Sequence, residues 1–168
     1  RWLLDNLFVY AVIALIILFQ DDIRRALARA GGTVYSRSKR QSDINMMEEI
    51  IGAVFSLAGR RIGALISIER SASLIPYTEG SHLLDANVST ELLMALFHPS
   101  SPVHDGAVLV CGRRIFAAGV FLPLSHSKQL PKSYGTRHRA VIGFTEETDA
   151  VCLLVSEERG TVAVVQGG

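Results

Sequence analysis

Three short segments carry side chains that could do chemistry together. Val103-His104-Asp105-Gly106-Ala107 sets a carboxylate between an imidazole and a glycine, just before an apolar run. His104 and Asp105 together could ligate or position a divalent cation. Gly106, with no Cβ, lets backbone come close to a ligand. An Asp-Gly turn entering a strand would look the same. Gly135-Thr136-Arg137-His138-Arg139 reads as the start of a helix with Thr136 as its N-cap. Two arginines in a first turn oppose the helix dipole unless something anionic is bound there. A phosphate removes that conflict through free N–H groups and charge-assisted arginine contacts. Arg137 and Arg139 are two apart and point to different sides, so both need not meet the same phosphate. Ser156-Glu157-Glu158-Arg159-Gly160 closes an apolar run, where the strand ends of open α/β sheets hold ligands. A charged hairpin turn fits that segment equally well.

The remaining candidates read as structural. His82, His98 and His126 have no partner at zinc spacing. Glu146-Glu147-Thr148-Asp149 reads as a solvated helix end, and Gly112-Arg113-Arg114 as a hairpin tip. No P-loop, GxGxxG or GxSxG occurs, so neither a kinase nor a Rossmann account has support. The two cysteines, Cys111 and Cys152, lie in apolar runs and read as small core hydrophobes. They are too few for a disulfide framework or a cysteine-rich zinc site. A net charge of +1 provides no global basic field for nucleic acid.

The elements that position these segments follow from periodicity. Of 168 residues, 49% are hydrophobic and 20% charged, enough apolar content for one buried core and against a disordered chain. Trp2 to Phe19 is apolar apart from Asp5 and Asn6; as a helix it would span about 27 Å, near the roughly 30 Å of a hydrocarbon core. Six basic residues against two acidic ones follow between Asp21 and Arg40, which places the remainder on the cytoplasmic side. A buried helix of a soluble core is the alternative. The chain begins at Arg1 rather than Met, which suggests a fragment. Residues 1–20 are therefore expected to be a transmembrane helix and 21–42 a basic juxtamembrane helix and linker, the linker being the polar stretch Gly31–Ser42. Residues 43–168 form the remaining domain, with 10 basic and 13 acidic residues.

Within that domain a helix is expected from Ser42 or Asp43 to Gly59, burying Ile44, Met47, Ile51, Val54, Phe55 and Ala58. A strand over Ile62–Arg70 and a loop containing Pro76, Gly80 and His82 come next. A helix over Ser89–Phe97 follows, then a hairpin turning at Cys111–Arg114. A helix over Thr136–Glu147 and a strand pair around Glu158–Gly160 complete the pattern. Mixed helices and strands with short connections predict an α/β domain with one mixed sheet covered by helices.

PVHDGAVLV, GTRHRAVIGFTEETDAVCLLVSEE and the preceding apolar helix together resemble the diadenylate cyclase (DAC) domain of the membrane-bound CdaA type. The DGA and RHR pair, about 30 residues apart, carries the resemblance, which covers most of the chain from Asp21. It implies the DAC fold, and condensation of two ATP into cyclic di-AMP with release of two pyrophosphates. It further implies a face-to-face homodimer, in which each 3′-hydroxyl attacks the other nucleotide's α-phosphate. By motif, Asp105 would activate the 3′-hydroxyl and hold Mn²⁺ or Mg²⁺, with His104 beside it. Gly106 and Ala107 would line the nucleotide, and Leu122 would touch adenine. Thr136, Arg137, His138 and Arg139 would grip phosphates, while Ser156, Glu157 and Glu158 would contact phosphates and metal. Phe121 departs from the tyrosine of some relatives. The resemblance also implies a bacterial membrane location, last of a set of spans, with the catalytic part cytoplasmic. Phosphoglucosamine mutase and a YbbR-domain regulator are the implied partners. Two rival readings use the same residues: a tethered nucleotide sensor without turnover, and a metal-dependent phosphohydrolase built on His104-Asp105.

Overall fold

The computed structural model describes residues 19–127, 130–131 and 134–168, with backbone alone between 20 and 39. The expected membrane helix, up to residue 18, lies outside the described residues. Among the described residues, no helix is long and apolar enough to cross a membrane. The chain divides into two units, Arg1–Ser42 and Asp43–Gly168.

Helix α1 covers Gln20–Gly59, so Gly31–Ser42 is helical where an aperiodic linker was expected. No proline interrupts it, and its glycines cost only about 1 kcal/mol each against alanine. Asp43 consequently caps nothing; its carboxylate pairs with Arg113 at 2.7 Å. The remaining elements are β1 (Ala64–Ile68), β2 (His82–Asn87), α2 (Thr90–Leu96), β3 (Ala107–Cys111), β4 (Arg114–Val120), α3 (Thr136–Glu147), β5 (Val151–Val155) and β6 (Val162–Val165). A 3₁₀ turn spans Ile75–Thr78.

The six strands form one mixed sheet in the order β2-β4-β3-β1-β5-β6. Only β1 and β3 run parallel, with Ile66 opposite Val108; every other pairing is antiparallel. β2, an edge strand, occupies the segment read as loop. Its residues His82–Leu84 are exposed and its register slips between Leu83 and Ala86, so it never shows clean period-2 alternation.

Two cores sandwich the sheet. Ile50, Ala53, Val54, Leu57 and Ala58 of α1 join Leu93, Leu96 and Phe97 against Ala64, Ile66, Val108 and Ile115 on one face. On the other face, Val141 and Phe144 of α3 pack on Leu65, Leu109, Ala117 and Leu154. Of the predicted stripe on α1, Val54 and Ala58 are buried, whereas Ile44, Met47, Ile51 and Phe55 are exposed by 37–65%. Two overlapping apolar stripes run along this helix. The one with alanines at 53 and 58 faces the sheet, because small residues allow close approach.

α2 starts as its sequence requires. The Ser89 hydroxyl accepts from the Leu92 N–H at 3.2 Å. The Glu49 carboxylate accepts from the Thr90 N–H at 2.7 Å, tying α2 to α1. These hydrogen bonds hold the Glu49 pKa below its ordinary value.

Candidate active site

The three candidate segments converge on one edge of the sheet. The starts of β1 and β3 lie there beside the ends of β4 and β5, because β5 runs antiparallel to β1 and β4 to β3. Asp105 and Gly106 lead into β3, Leu122 follows β4, and Ser156-Glu157-Glu158 follow β5. α3 brings its first turn to the same edge.

A cavity of about 440 Å³ opens there, lined by Leu65, Ala107, Val120, Leu122 and Leu124, with Phe121, Asp105, Gly106, Thr136, Arg137 and Ala140 completing it. Leu122 is nearly buried while Phe121 is 77% exposed, so one side chain floors the chamber and the other stands at its mouth. A smaller cavity of about 70 Å³ lies alongside, lined by Gly135, Thr136, Arg137, His138, Ser156, Glu157 and Glu158. Thr136 and Arg137 belong to both. An apolar chamber and a charged one thus share a wall, a combination that suits an apolar ring system joined to an anion.

The backbone around this site depends on close approaches. Gly106 has φ +122°, and a Cβ there would fall 2.7 Å from the Gly119 carbonyl carbon. The glycine thus admits the bulged β4 backbone, rather than only a ligand as the sequence suggested. At Gly143 a Cβ would meet the Pro123 carbonyl oxygen at 2.6 Å. The loop bearing Leu122 and Leu124 crosses α3 at that point, held by the Ser125 N–H donating to the Arg139 carbonyl at 2.9 Å.

Gly135, not Thr136, is the N-cap of α3. It is extended at φ −71° and makes no side-chain cap, so Thr136 becomes the first helical residue. The first turn carries no acid and its N–H groups remain open to an anion. Arg137 donates from Nη1 to Glu157 Oε2 at 2.8 Å. The His138 ring stacks on Tyr134 with centroids 4.9 Å apart. Arg139 is half-buried and lines neither cavity. The segment 156–160 is a tight turn, Gly160 N–H donating to the Ser156 carbonyl at 2.8 Å, and its residues Ser156, Glu157 and Glu158 line the small cavity.

His104 Nδ1 lies 2.6 Å from the Ser101 carbonyl. Since a carbonyl only accepts, Nδ1 is the donor here, which leaves Nε2 as the ring nitrogen facing away from that bond. Asp105 is exposed and makes no hydrogen bond or ion pair among the described residues. Among those residues no group of three or more His, Cys, Asp or Glu could hold a metal. The pair sits in a loop before a strand, not on a helix. Sequence reasoning missed Leu65, Val120, Leu124 and Ala140, whose apolar character carries no signal beyond core membership. His82, His98 and His126 are exposed.

Over residues 51–168 the chain matches the DAC family, described as the DisA bacterial checkpoint controller nucleotide-binding domain. It is 43% identical over its whole length to the cyclic di-AMP synthase CdaA of Bacillus subtilis. Identity is 41% to a diadenylate cyclase of Listeria monocytogenes, and the chain spans 63% of the length of each of these relatives. DacA from Staphylococcus aureus, a solved structure, superposes with a TM-score of 0.74 at 43% identity, over 76% of this chain and 85% of that one. A hypothetical membrane spanning protein from Bacillus cereus superposes at 0.67 with 35% identity, over 91% and 76%. Sequence, mixed six-stranded sheet and helix cover agree, and the chain belongs to the DAC family.

Proposed function

We propose that the protein is a diadenylate cyclase, joining two ATP into cyclic di-AMP with release of two pyrophosphates. The observation that carries this reading is the meeting of an apolar and a charged cavity at Thr136 and Arg137. Adenine enters the apolar chamber against Leu122, and Phe121 covers it from the mouth. The triphosphate runs to the N-terminus of α3, where backbone N–H groups and Arg137 take its charge. Thr136 and Ser156 offer hydroxyls and His138 a ring held by Tyr134. Arg137 is the arginine assigned to these phosphates, since Arg139 lies off the cavity wall.

Asp105, at the rim of the larger cavity, accepts the proton of the 3′-hydroxyl. The resulting oxygen bonds to the α-phosphorus of the second nucleotide as the bond to pyrophosphate breaks. Repeating the step in the opposite sense closes the ring. One chamber of this size takes one nucleotide, so two subunits must face each other. Asp105 would hold a divalent ion together with the nucleotide, because Mg²⁺ is commonly held by one or two carboxylates plus substrate phosphates, with His104 beside it as a further donor for an ion that accepts imidazole. Glu157 and Glu158 stand on the phosphate side. Such an ion would neutralise charge on the departing pyrophosphate. The apolar stretch Trp2–Phe19 and its basic flank favour attachment to a membrane, with the catalytic part on the cytoplasmic side.

The test is incubation of the protein with ATP and Mn²⁺, then with Mg²⁺, followed by chromatography of the nucleotides. Cyclic di-AMP with pyrophosphate is the expected result. ADP with phosphate would overturn it in favour of a phosphohydrolase, and intact bound ATP in favour of a sensor.

A further inference from the structure

Gly63 precedes β1 and is buried. Ala64 pairs with Val155 across the β1–β5 ladder, which sets Gly63 beside the start of the 156–160 turn. A Cβ on Gly63 would lie 2.5 Å from Arg137 Nη1, 2.7 Å from Glu157 Oε2 and 3.0 Å from Arg137 Cζ. The same two side chains make the 2.8 Å ion pair on the wall of the small cavity. We propose that Gly63 is a positioning residue: the space left by its absent Cβ is where the Arg137 guanidinium and the Glu157 carboxylate meet. This rests on the reading of that cavity as the triphosphate subsite.

Gly63 differs from the other tightly packed glycines at this site. Gly106 and Gly143 meet backbone atoms, and Gly106 also needs positive φ. Gly63 is not among the positive-φ residues, so alanine fits its backbone. The three atoms nearest its Cβ are all ends of flexible side chains. An alanine there moves the ion pair and leaves the sheet in place. The displaced guanidinium leaves its place on the wall that the two cavities share, while the apolar side chains of the larger one, Leu122 and Leu124 among them, keep theirs.

The experiment compares the full chain with Gly63→Ala, using two calorimetric probes: adenosine for the apolar chamber, and α,β-methylene-ATP, which cannot release pyrophosphate, for both. For the variant we expect an unchanged circular dichroism spectrum, adenosine affinity within about twofold, and affinity for the ATP analogue weaker by about tenfold or more. In a Glu157→Ala background the alanine should cost less than about twofold, because the ion pair it displaces is already gone and the guanidinium is free to shift aside. Equal weakening of both probes, no weakening of either, additive effects in the double variant, or an unfolded variant would each overturn the proposal. If the unsubstituted protein binds neither probe, the nucleotide reading itself fails, a result separate from the response of Gly63.

Discussion

At the scale of single residues, the site separates groups proposed to react from groups that hold backbone. Asp105 is exposed at the cavity rim, so Asp105→Asn removes a proton acceptor without disturbing packing. Turnover should fall at least 100-fold, on the order of what general-base groups contribute, with an unchanged melting temperature; near-normal turnover would remove Asp105 from its role. Gly106→Ala should behave oppositely, costing about 2 kcal/mol or more in stability, because φ +122° and the Gly119 backbone both exclude a Cβ; denaturant unfolding would read this. Burial, with the Glu69 carboxylate beside it, pushes the Cys111 thiol up to about 12. Burial also raises Cys152 to about 11, although its contact with the Ser67 hydroxyl acts the other way. Thiolates, not thiols, alkylate. Iodoacetamide at pH 8 should therefore leave both unmodified in the native protein and label both in guanidinium. Native labelling would contradict the structure.

At the scale of elements, the segment after β1 is held by carboxylates from elsewhere in the chain. Asp149 accepts from the Ser71 and Ala72 N–H groups, both at 3.0 Å. These bonds hold its pKa below the ordinary 3.8, as Thr90 holds Glu49 below 4.5. A carboxyl depressed in the folded state stabilises fully above its unfolded value and loses that contribution as pH falls through the folded one. Melting temperature should thus be level above about pH 5 and drop below about pH 4. Asp149→Asn should flatten part of that acid limb, and an identical pH profile would show that the contact carries no weight. Glu146-Glu147-Thr148-Asp149, expected to be merely solvated, is therefore partly structural. The residues alone showed no partner because Ser71 and Ala72 lie 78 and 77 positions away.

At the scale of the whole molecule, the proposed reaction is bimolecular in nucleotide and in subunit. Each active site contributes one 3′-hydroxyl and one α-phosphate, so a lone subunit should be inert. Initial rate should rise with the square of protein concentration below the dimer dissociation constant and linearly above it. Strict proportionality across a hundredfold dilution into the monomeric range, checked by light scattering, would show that pairing is unnecessary.

Much of this protein is legible in its residues because local rules decide it. Ser89 starts α2, Gly112 turns the β3–β4 hairpin, and the apolar runs at 107–111 and 151–155 become strands buried on both faces. The proposal that 135–139 binds phosphate follows from charge at a helix start, whichever residue caps it. Other features were decided only by tertiary structure, since they depend on residues far apart in the chain. Between two apolar stripes on α1, the sheet selected the one with small residues. β2 exists because β4 offered an edge to an irregular, exposed segment. Gly63, one of 14 glycines, became important only when β5 brought Glu157 and α3 brought Arg137 into the volume its side chain would have filled. Hydrogen bonding along the chain and apolar periodicity are short-range and written in order, whereas a shared volume belongs to no single segment.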